Sequence, residues 1–494
     1  MNKGAISLLA LVAGFGLAAC DGMSNKATPE RLDGLVTNGV DGKKREKAEG
    51  AFDKAMARAN SIAGLNEALG GDATMNAGAV PLNTLLEAAL EHNSDLGRAA
   101  QDINRADAQR MRAIFGYLPQ LSLNYTSTTV DTTVVSSDNQ VFELGTANYP
   151  VTTMYVEMRQ PLIDMSRIYG IKLGSTARTA AEVSYIATAQ KVLFETFDAY
   201  LVASQSKAKI TELKARAESL RRQSSAESVL TDAGLANDTS RRAILTEQAR
   251  AESDLAIETT RYAEALSRLS WLTGTAISDV QKVDVPGSIM GSERNVTAEA
   301  AKEAARKNNP ELLSIAIGVV QADLARKQAI AADFGPVVDL FMTMETETRE
   351  GSRFGGGSET EETTTGVRVT LPIFNARGDG LRTLDANVDL RAAIVDFHAS
   401  RRQVDTETVM VLERMKQLSA SIGRLSQAAS NANANAKTER DRVATGESNE
   451  LILAARERQS SEMKMELEVQ RIEYLRAWVK LQHLTGAMNK NVLR

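Results

Sequence analysis

The side chains that could do chemistry in this 494-residue chain are few and scattered. Its three histidines, His92, His398 and His483, are far apart in sequence. None stands at metal-ligand spacing from a cysteine or a second histidine. No Gly-x-x-x-x-Gly-Lys-Ser/Thr loop is present to cradle a phosphate, and no serine lies in Gly-x-Ser-x-Gly. Carboxylates are many, but they alternate with basic neighbours along helical stretches, as on solvated faces. Neither an enzyme nor a bound cofactor or metal is expected. One thiol remains, that of Cys20, the only cysteine. It follows Lys3 and an apolar, small-residue run from Gly4 to Ala19, the plan of a secretory signal peptide over residues 1–19. That run is too short for a spanning helix of about 20 residues. An exported chain with a single cysteine closes no internal disulfide, so the thiol needs another use.

Leu17-Ala18-Ala19-Cys20 resembles the lipobox of bacterial lipoproteins. The resemblance implies cleavage before Cys20 and lipid attachment at its sulfur. Acyl chains contribute about 0.8 kcal/mol per buried methylene, so several hold a protein on a bilayer. Asp21 comes next, a residue that in enteric bacteria tends to keep a lipoprotein at the inner membrane.

The elements that carry the rest are written twice. Leu-Ser-Trp-Leu-Thr-Gly at 269–274 is echoed by Leu-Gln-His-Leu-Thr-Gly at 481–486, an offset of 212. Asn93-Ser-Asp-Leu96 returns as Asn309-Pro-Glu-Leu312. Leu118-Pro-Gln-Leu121 returns as Gly335-Pro-Val-Val338, and Gln160-Pro-Leu-Ile163 as Leu371-Pro-Ile-Phe374. The order is kept, so one unit of about 210 residues is duplicated, a period far too long for a solenoid of small repeats. Residues 20–80 form an anchor and spacer, 81–285 the first repeat and 286–494 the second.

Each repeat has the same expected plan. A helix runs from Leu82 to about Phe115. Strands follow at about 119–130 and 150–161, with a polar loop from about 131 to 148 between them. Leu121, Leu123 and Tyr125 alternate with polar residues, and Met154, Val156 and Met158 do the same. The second repeat places strands at about 336–348 and 363–372. Long uninterrupted helices span about 165–229 and 381–443, with apolar residues at 3-4 spacing. Each ends at a small-residue turn, at 233–237 and 444–449, before a returning helix of roughly 35–40 residues.

This fold class is mainly α with a transmembrane β part: a duplicated helix–strand–strand–long helix–helix unit. A net charge of −5 supplies no basic field for nucleic acid. After the signal no run of 18 apolar residues occurs, so any membrane crossing must use strands. Strands with one apolar and one polar face fit a transmembrane β-barrel. A sheet lying on a soluble core alternates in the same way. Four strands cannot close a barrel, since the smallest have about eight. A spanning sheet therefore requires several copies.

Over about residues 81–490 the plan resembles the TolC-like outer-membrane efflux protein family. The marks are the paired repeat, the Asn-Ser-Asp-Leu and Asn-Pro-Glu-Leu openings, Leu-Pro before the strands, Leu371-Pro-Ile-Phe374 leading into Gly378 and Leu381, and the glycine turns. The resemblance implies a homotrimer with a 12-stranded β-barrel in the outer membrane and a long α-helical coiled-coil barrel crossing the periplasm. Such a channel is the exit duct of a tripartite efflux pump or type I secretion system. Its partners are a periplasmic adaptor, the inner-membrane transporter indirectly, and outer-membrane lipid. By the same likeness, Gly234-Leu235-Ala236 and Gly446-Glu447-Ser448 match the tip motifs that dock on the adaptor. Some members carry aspartates six and nine residues past the second tip glycine. Ile452 and Ala455 stand there instead, which leaves Asp238, Glu450 and Arg456 as candidates for a different charged constriction. The alternative from another class is a periplasmic coiled-coil adaptor or scaffold lipoprotein, which Asp21 favours and duplicated amphipathic strands disfavour.

Overall fold

The computed structural model describes residues 78–135, 145–232, 238–283, 287, 289–351, 356–373, 380–448 and 450–488. The chain divides into two compact units, Met1–Glu67 and Ala68–Arg494, and everything described belongs to the second. The signal peptide, Cys20 and Asp21 lie outside the described residues.

Repeat one runs β1 (Ala79–Val80), α1 (Leu82–His92), α2 (Ser94–Phe115), β2 (Gln120–Val134), β3 (Gly145–Asp164), α3 (Met165–Asp232), α4 (Asp238–Thr273) and β4 (Asp279–Val280). Repeat two opens on a short 3-10 turn at Ser292–Asn295. It continues with α5 (Ala298–Asn308), α6 (Pro310–Phe334), β5 (Val337–Arg349), β6 (Ser358–Thr370), α7 (Leu381–Ala444) and α8 (Glu450–Leu484).

The single helix expected over 82–115 is two helices, broken at Asn93, and the cause is a cap. Asn93 has extended backbone (φ −73°, ψ 124°), and its Oδ1 accepts the N–H groups of Asp95 (2.9 Å) and Leu96 (3.3 Å). These are two of the donors that a helix start leaves without partners. Its Nδ2 donates to the carbonyl of Leu272 at 2.9 Å, in the last turn of α4. Repeat two copies the device. Asn309 accepts from Leu312 N–H (2.9 Å) and donates to the Leu484 carbonyl (3.0 Å), with Pro310 at the first helical position. The two kinds of sequence echo therefore meet in space. The asparagine that starts one helix clamps the end of another, just before the Leu-Thr-Gly turn.

Those turns need glycine. Gly274 and Gly486 have φ +65° and +69°, which a side chain resists. A Cβ on Gly274 would lie 3.1 Å from His92 Cβ, and one on Gly486 would overlap the carbonyl oxygen of Asn308.

The strands form one antiparallel sheet in the order β2-β3-β5-β6. At 15, 20 and 13 residues β2, β3 and β6 are longer than their sequence spans, while β5, at 13, matches its own shifted by one residue. Much of the expected loop over 131–148 is ladder, with Asp131–Val134 paired to Gly145–Asn148. β-branched threonines favour this extended backbone even where no face is apolar.

α3 and α7, with 68 and 64 residues, are rods of about 100 Å at 1.5 Å per residue. α4 packs back along α3 and α8 along α7. The main core gathers Phe197, Leu201, Leu269, Leu412, Met415 and Tyr474 from these helices, with Leu85 and Leu86 from α1. β1 and β4 pair in parallel beside it and are tied to the rods by side chains. Lys207 Nζ reaches Asp279 (2.6 Å) and the Val280 carbonyl (2.8 Å), and Tyr262 donates to Asp279 (2.5 Å). Burial, reinforced by the Asp279 charge, pushes the Tyr262 hydroxyl up to about 12.

Candidate functional site

Strand register sorts the sheet's side chains onto two unlike faces. One face carries rows such as Leu121–Met158–Met342 and Leu123–Val156–Met344, with Leu340 opposite Val367 and Val338 opposite Val369. Many of these side chains lie open within one subunit: Leu121 is 74% exposed and Val369 67%. The other face carries Gln120, Asn124, Glu157, Arg159, Glu345 and Glu362. There Arg159 Nη2 meets the buried Asp339 carboxylate at 2.5 Å. Tyr155, Val151, Tyr149 and Val130 share that face, as does Phe341 of β5, whose place the structure explains. Its ring covers Gly366, where a Cβ would lie 2.9 Å away, and the Arg368 guanidinium stacks 4.7 Å above it.

Among the described residues both sheet edges lack a neighbour, because β2 and β6 each pair on one side only. An unpaired edge in hydrocarbon leaves N–H and C=O groups unsatisfied at several kcal/mol each. A sheet of this kind fits a membrane only when other copies supply the missing strands.

At the far end of the rods the second turn is resolved. Gly446 is left-handed (φ +79°), Gly446 N–H bonds Val443 O (3.1 Å) and Glu447 N–H bonds Arg442 O (2.8 Å). That pair closes the C-terminus of α7 as a Schellman motif. Ser448 bonds Glu439, and Arg442 lies 3.6 Å from Glu439 and 4.0 Å from Glu447. Gly234, Leu235 and Ala236 lie outside the described residues, and Asp238 is placed only as the first residue of α4. Glu450 opens α8 and is exposed, while Arg456 Nη1 donates to Gln459 at 3.3 Å. No ion pair joins Glu450 to Arg456 among the described residues.

Between the two hairpins near these turns lies a groove of about 710 Å³, with Leu213, Leu220, Ile244 and Glu450 on its walls. Arg216 ties the hairpins together beside it, reaching Glu247 of α4 at 2.9 Å and Glu462 of α8 at 3.4 Å. Arg216 and Glu462 were not legible as a pair, because nothing in a helical stripe says which of two rods it will face.

No group of three or more histidine, cysteine or carboxylate side chains able to hold a metal exists among the described residues. The histidines have separate settings. His92 packs behind Gly274, and His398 stands edge-on to Phe397. His483 stacks on Phe194 at 4.9 Å, and burial, with help from Lys480, pulls its imidazole down to about 4. No helix of the described residues is long and apolar enough to cross a membrane.

Residues 85–275 match the family model of outer membrane efflux proteins. The protease secretion protein PrtF of Dickeya chrysanthemi is 20% identical over 420 residues, which is 82% of this chain and 87% of that protein. The CmeC outer membrane channel of Campylobacter jejuni superposes with a TM-score of 0.66 at 16% identity, covering 83% of this chain and 86% of CmeC. The outer membrane protein VceC of Vibrio cholerae gives 0.64 at 16% identity, covering 82% and 96%. The solved structures share this fold over nearly their whole length.

Proposed function

We propose that the chain, whose residues 85–275 match the family model of outer membrane efflux proteins, is the outer-membrane exit duct of a tripartite efflux or type I secretion system. The observation that carries this is the four-stranded sheet with one apolar face, one polar face and two free edges. Three copies give twelve strands, with apolar faces toward lipid and the polar faces around water. The rods, set side by side, continue the conduit through the periplasm. Transport is passive, and energy comes from the inner-membrane partner. The purified full chain should be a trimer in mild detergent and conduct ions in a planar bilayer. A lone subunit without conductance overturns the duct. If it also fractionates with the inner membrane, the scaffold reading takes its place.

The adaptor should meet the hairpin turns and the groove beside them, where an apolar floor between ion-paired walls suits a partner helix. Space around Gly446 is open, so Gly446→Trp meets no neighbouring atom, and its cost to the subunit is the backbone strain of a side chain at φ +79°, about 1 kcal/mol. It should weaken adaptor-dependent export while trimers persist; loss of trimers instead would assign the turn to folding. Cys20 carries the lipid anchor in this proposal, and Cys20→Ala should abolish acyl labelling of the mature chain.

A further inference from the structure

On the sheet's apolar face the apolar side chains run only from Leu121 to Tyr125 on β2 and from Val338 to Met344 on β5. At about 3.4 Å per residue that is roughly 14–20 Å along a strand. With the usual strand tilt of about 35–45° the height is roughly 10–16 Å, against an apolar band of about 25 Å in membrane barrels. The shortfall is not made up toward the hairpin loops. There the same face carries Thr346, Thr348, Glu361, Glu359 and Asp131.

Toward the helices the picture reverses. Around the strand ends stand Phe115 (58% exposed), Leu118, Phe334 (53%) and Ile373 (90%), with Leu162 in the last residues of β3 and Leu381 at the start of α7. We propose that the hydrocarbon of the periplasm-side leaflet continues past the strands and covers this strand-to-helix junction, with these side chains against acyl chains. The proposal rests on the duct reading above, and it adds where the bilayer ends.

The junction's polar groups are satisfied in the manner a water-poor medium demands. The Tyr117 carbonyl accepts from Gln160 Nε2 (2.9 Å), the Leu162 carbonyl from Tyr117 Oη (2.8 Å), and the Gly116 carbonyl from Arg167. Arg167 is itself neutralised by Asp164 at 2.9 Å, and Asp164 also caps the start of α3 through the Arg167 N–H (3.0 Å). The start of α7 is treated alike. The fully buried Asp333 accepts from Gly380 N–H (3.2 Å), Thr383 N–H (3.3 Å) and Thr383 Oγ1 (2.9 Å), and pairs with Arg382 at 2.8 Å.

The test uses the full acylated chain in dimyristoyl phosphatidylcholine vesicles, with one nitroxide label at Phe115→Cys or Ile373→Cys. Leu123→Cys on the sheet is the lipid reference, and Arg424→Cys, on the exposed side of α7, the water reference. Collision with oxygen reports lipid and collision with a water-soluble nickel chelate reports water. The junction labels should match Leu123 in their oxygen-to-nickel ratio and exceed Arg424 several-fold. Junction labels that behave like Arg424 while Leu123 stays in lipid would overturn the proposal and leave the duct standing. Labels shielded from both colliders would also overturn it, assigning the junction to contact between copies. Nickel access at Leu123 itself would instead remove the duct reading.

Discussion

Set side by side at an offset of 212, the two repeats preserve interactions more faithfully than residues. Tyr262 and Tyr474 both direct a hydroxyl at a carboxylate in the segment after the first hairpin, 2.5 Å from Asp279 and from Glu293 respectively. Arg268 pairs with Glu195 (2.6 Å) and Lys480 with Glu407 (3.5 Å), and both positions of each pair are related by the same offset. Each of these cations also lies over an aromatic ring, Arg268 over Trp271 and Lys480 over Phe194. The pair that differs most is Trp271 and His483. The indole is 53% exposed, whereas the imidazole is stacked and largely buried. These two contacts between returning helix and rod are common to both repeats, whereas Arg216–Glu247 is not, since Ala428 and Gln459 stand at the corresponding positions. Side chains facing outward from the hairpins are not shared either.

The sharpest way to break this equivalence is through the two turn glycines. Both have positive φ, so alanine costs each about 1 kcal/mol of backbone strain. Gly486 has the further overlap with Asn308 backbone, which cannot rotate away. Gly486→Ala should cost about 3–4 kcal/mol and Gly274→Ala about 1–2, read as thermal melting by circular dichroism. Equal losses would mean that the backbone around Asn308 yields.

The tyrosines come next. Tyr474 is fully buried, and its hydroxyl also accepts Gly291 N–H (3.1 Å) beside the buried Glu293. Tyr474→Phe leaves that carboxylate with Arg294 at 3.9 Å and should cost about 2 kcal/mol. In the other repeat Lys207 still serves Asp279, so Tyr262→Phe should cost less than about 1 kcal/mol in the same melting assay. Reversal of that order would show that Glu293 is neutral or finds water.

Much of this architecture could be read from residues, and the failures are instructive. Alternation at 121–125 and 154–158 disclosed the two-faced strands, and the absence of proline disclosed the rods. Their ends were harder. Asp131–Val134 and Ser358–Glu362 lack an apolar face, so no periodicity marked them as ladder, and only pairing across the hairpin reveals it. Asn93 looked like part of a helix because its break depends on Leu272, 179 residues away. The echoes at Tyr262/Tyr474 and Glu195/Glu407 were present in the sequence at the offset already found. Single residues in helices carry no motif until their partners are known. Of the candidate site, the second turn was legible as a glycine C-cap, but the groove beside it depends on how two hairpins face each other.

His483 gives its repeat a response to acid that Trp271 does not give the other. The folded His483 imidazole titrates near 4, below its unfolded value of about 6.5, among Lys480, Glu407 and Lys191. Between those values the unfolded chain binds a proton that the folded chain refuses. Stability from this group is therefore complete above about pH 6.5 and falls as pH drops toward 4. Allowing for partial solvent contact, the loss should be about 1–2 kcal/mol. His483→Phe should flatten that part of the stability–pH curve, and Trp271→Phe should leave it unchanged. A slope that survives His483→Phe would have to come from carboxylates.

The smallest expected difference lies in the duplicated ion pairs. Arg268 is half exposed, and its bond to Glu195 is screened, so the pair contributes about 0.5 kcal/mol or less. Lys480 is more shielded than Arg268, but Glu407 is more open than Glu195, the separation of 3.5 Å is longer and lysine offers no planar fork. Arg268→Ala also removes the guanidinium stacked 4.5 Å from Trp271. Arg268→Ala and Lys480→Ala should each lower stability by less than about 1 kcal/mol, with the Arg268 effect shrinking more in high salt. A double-mutant cycle of Arg268→Ala with Glu195→Ala, repeated for Lys480 with Glu407, isolates each pair. Coupling much above about 1 kcal/mol at either would mean that the pair is shielded from water in the assembled protein, as happens where neighbouring copies close over a helix face.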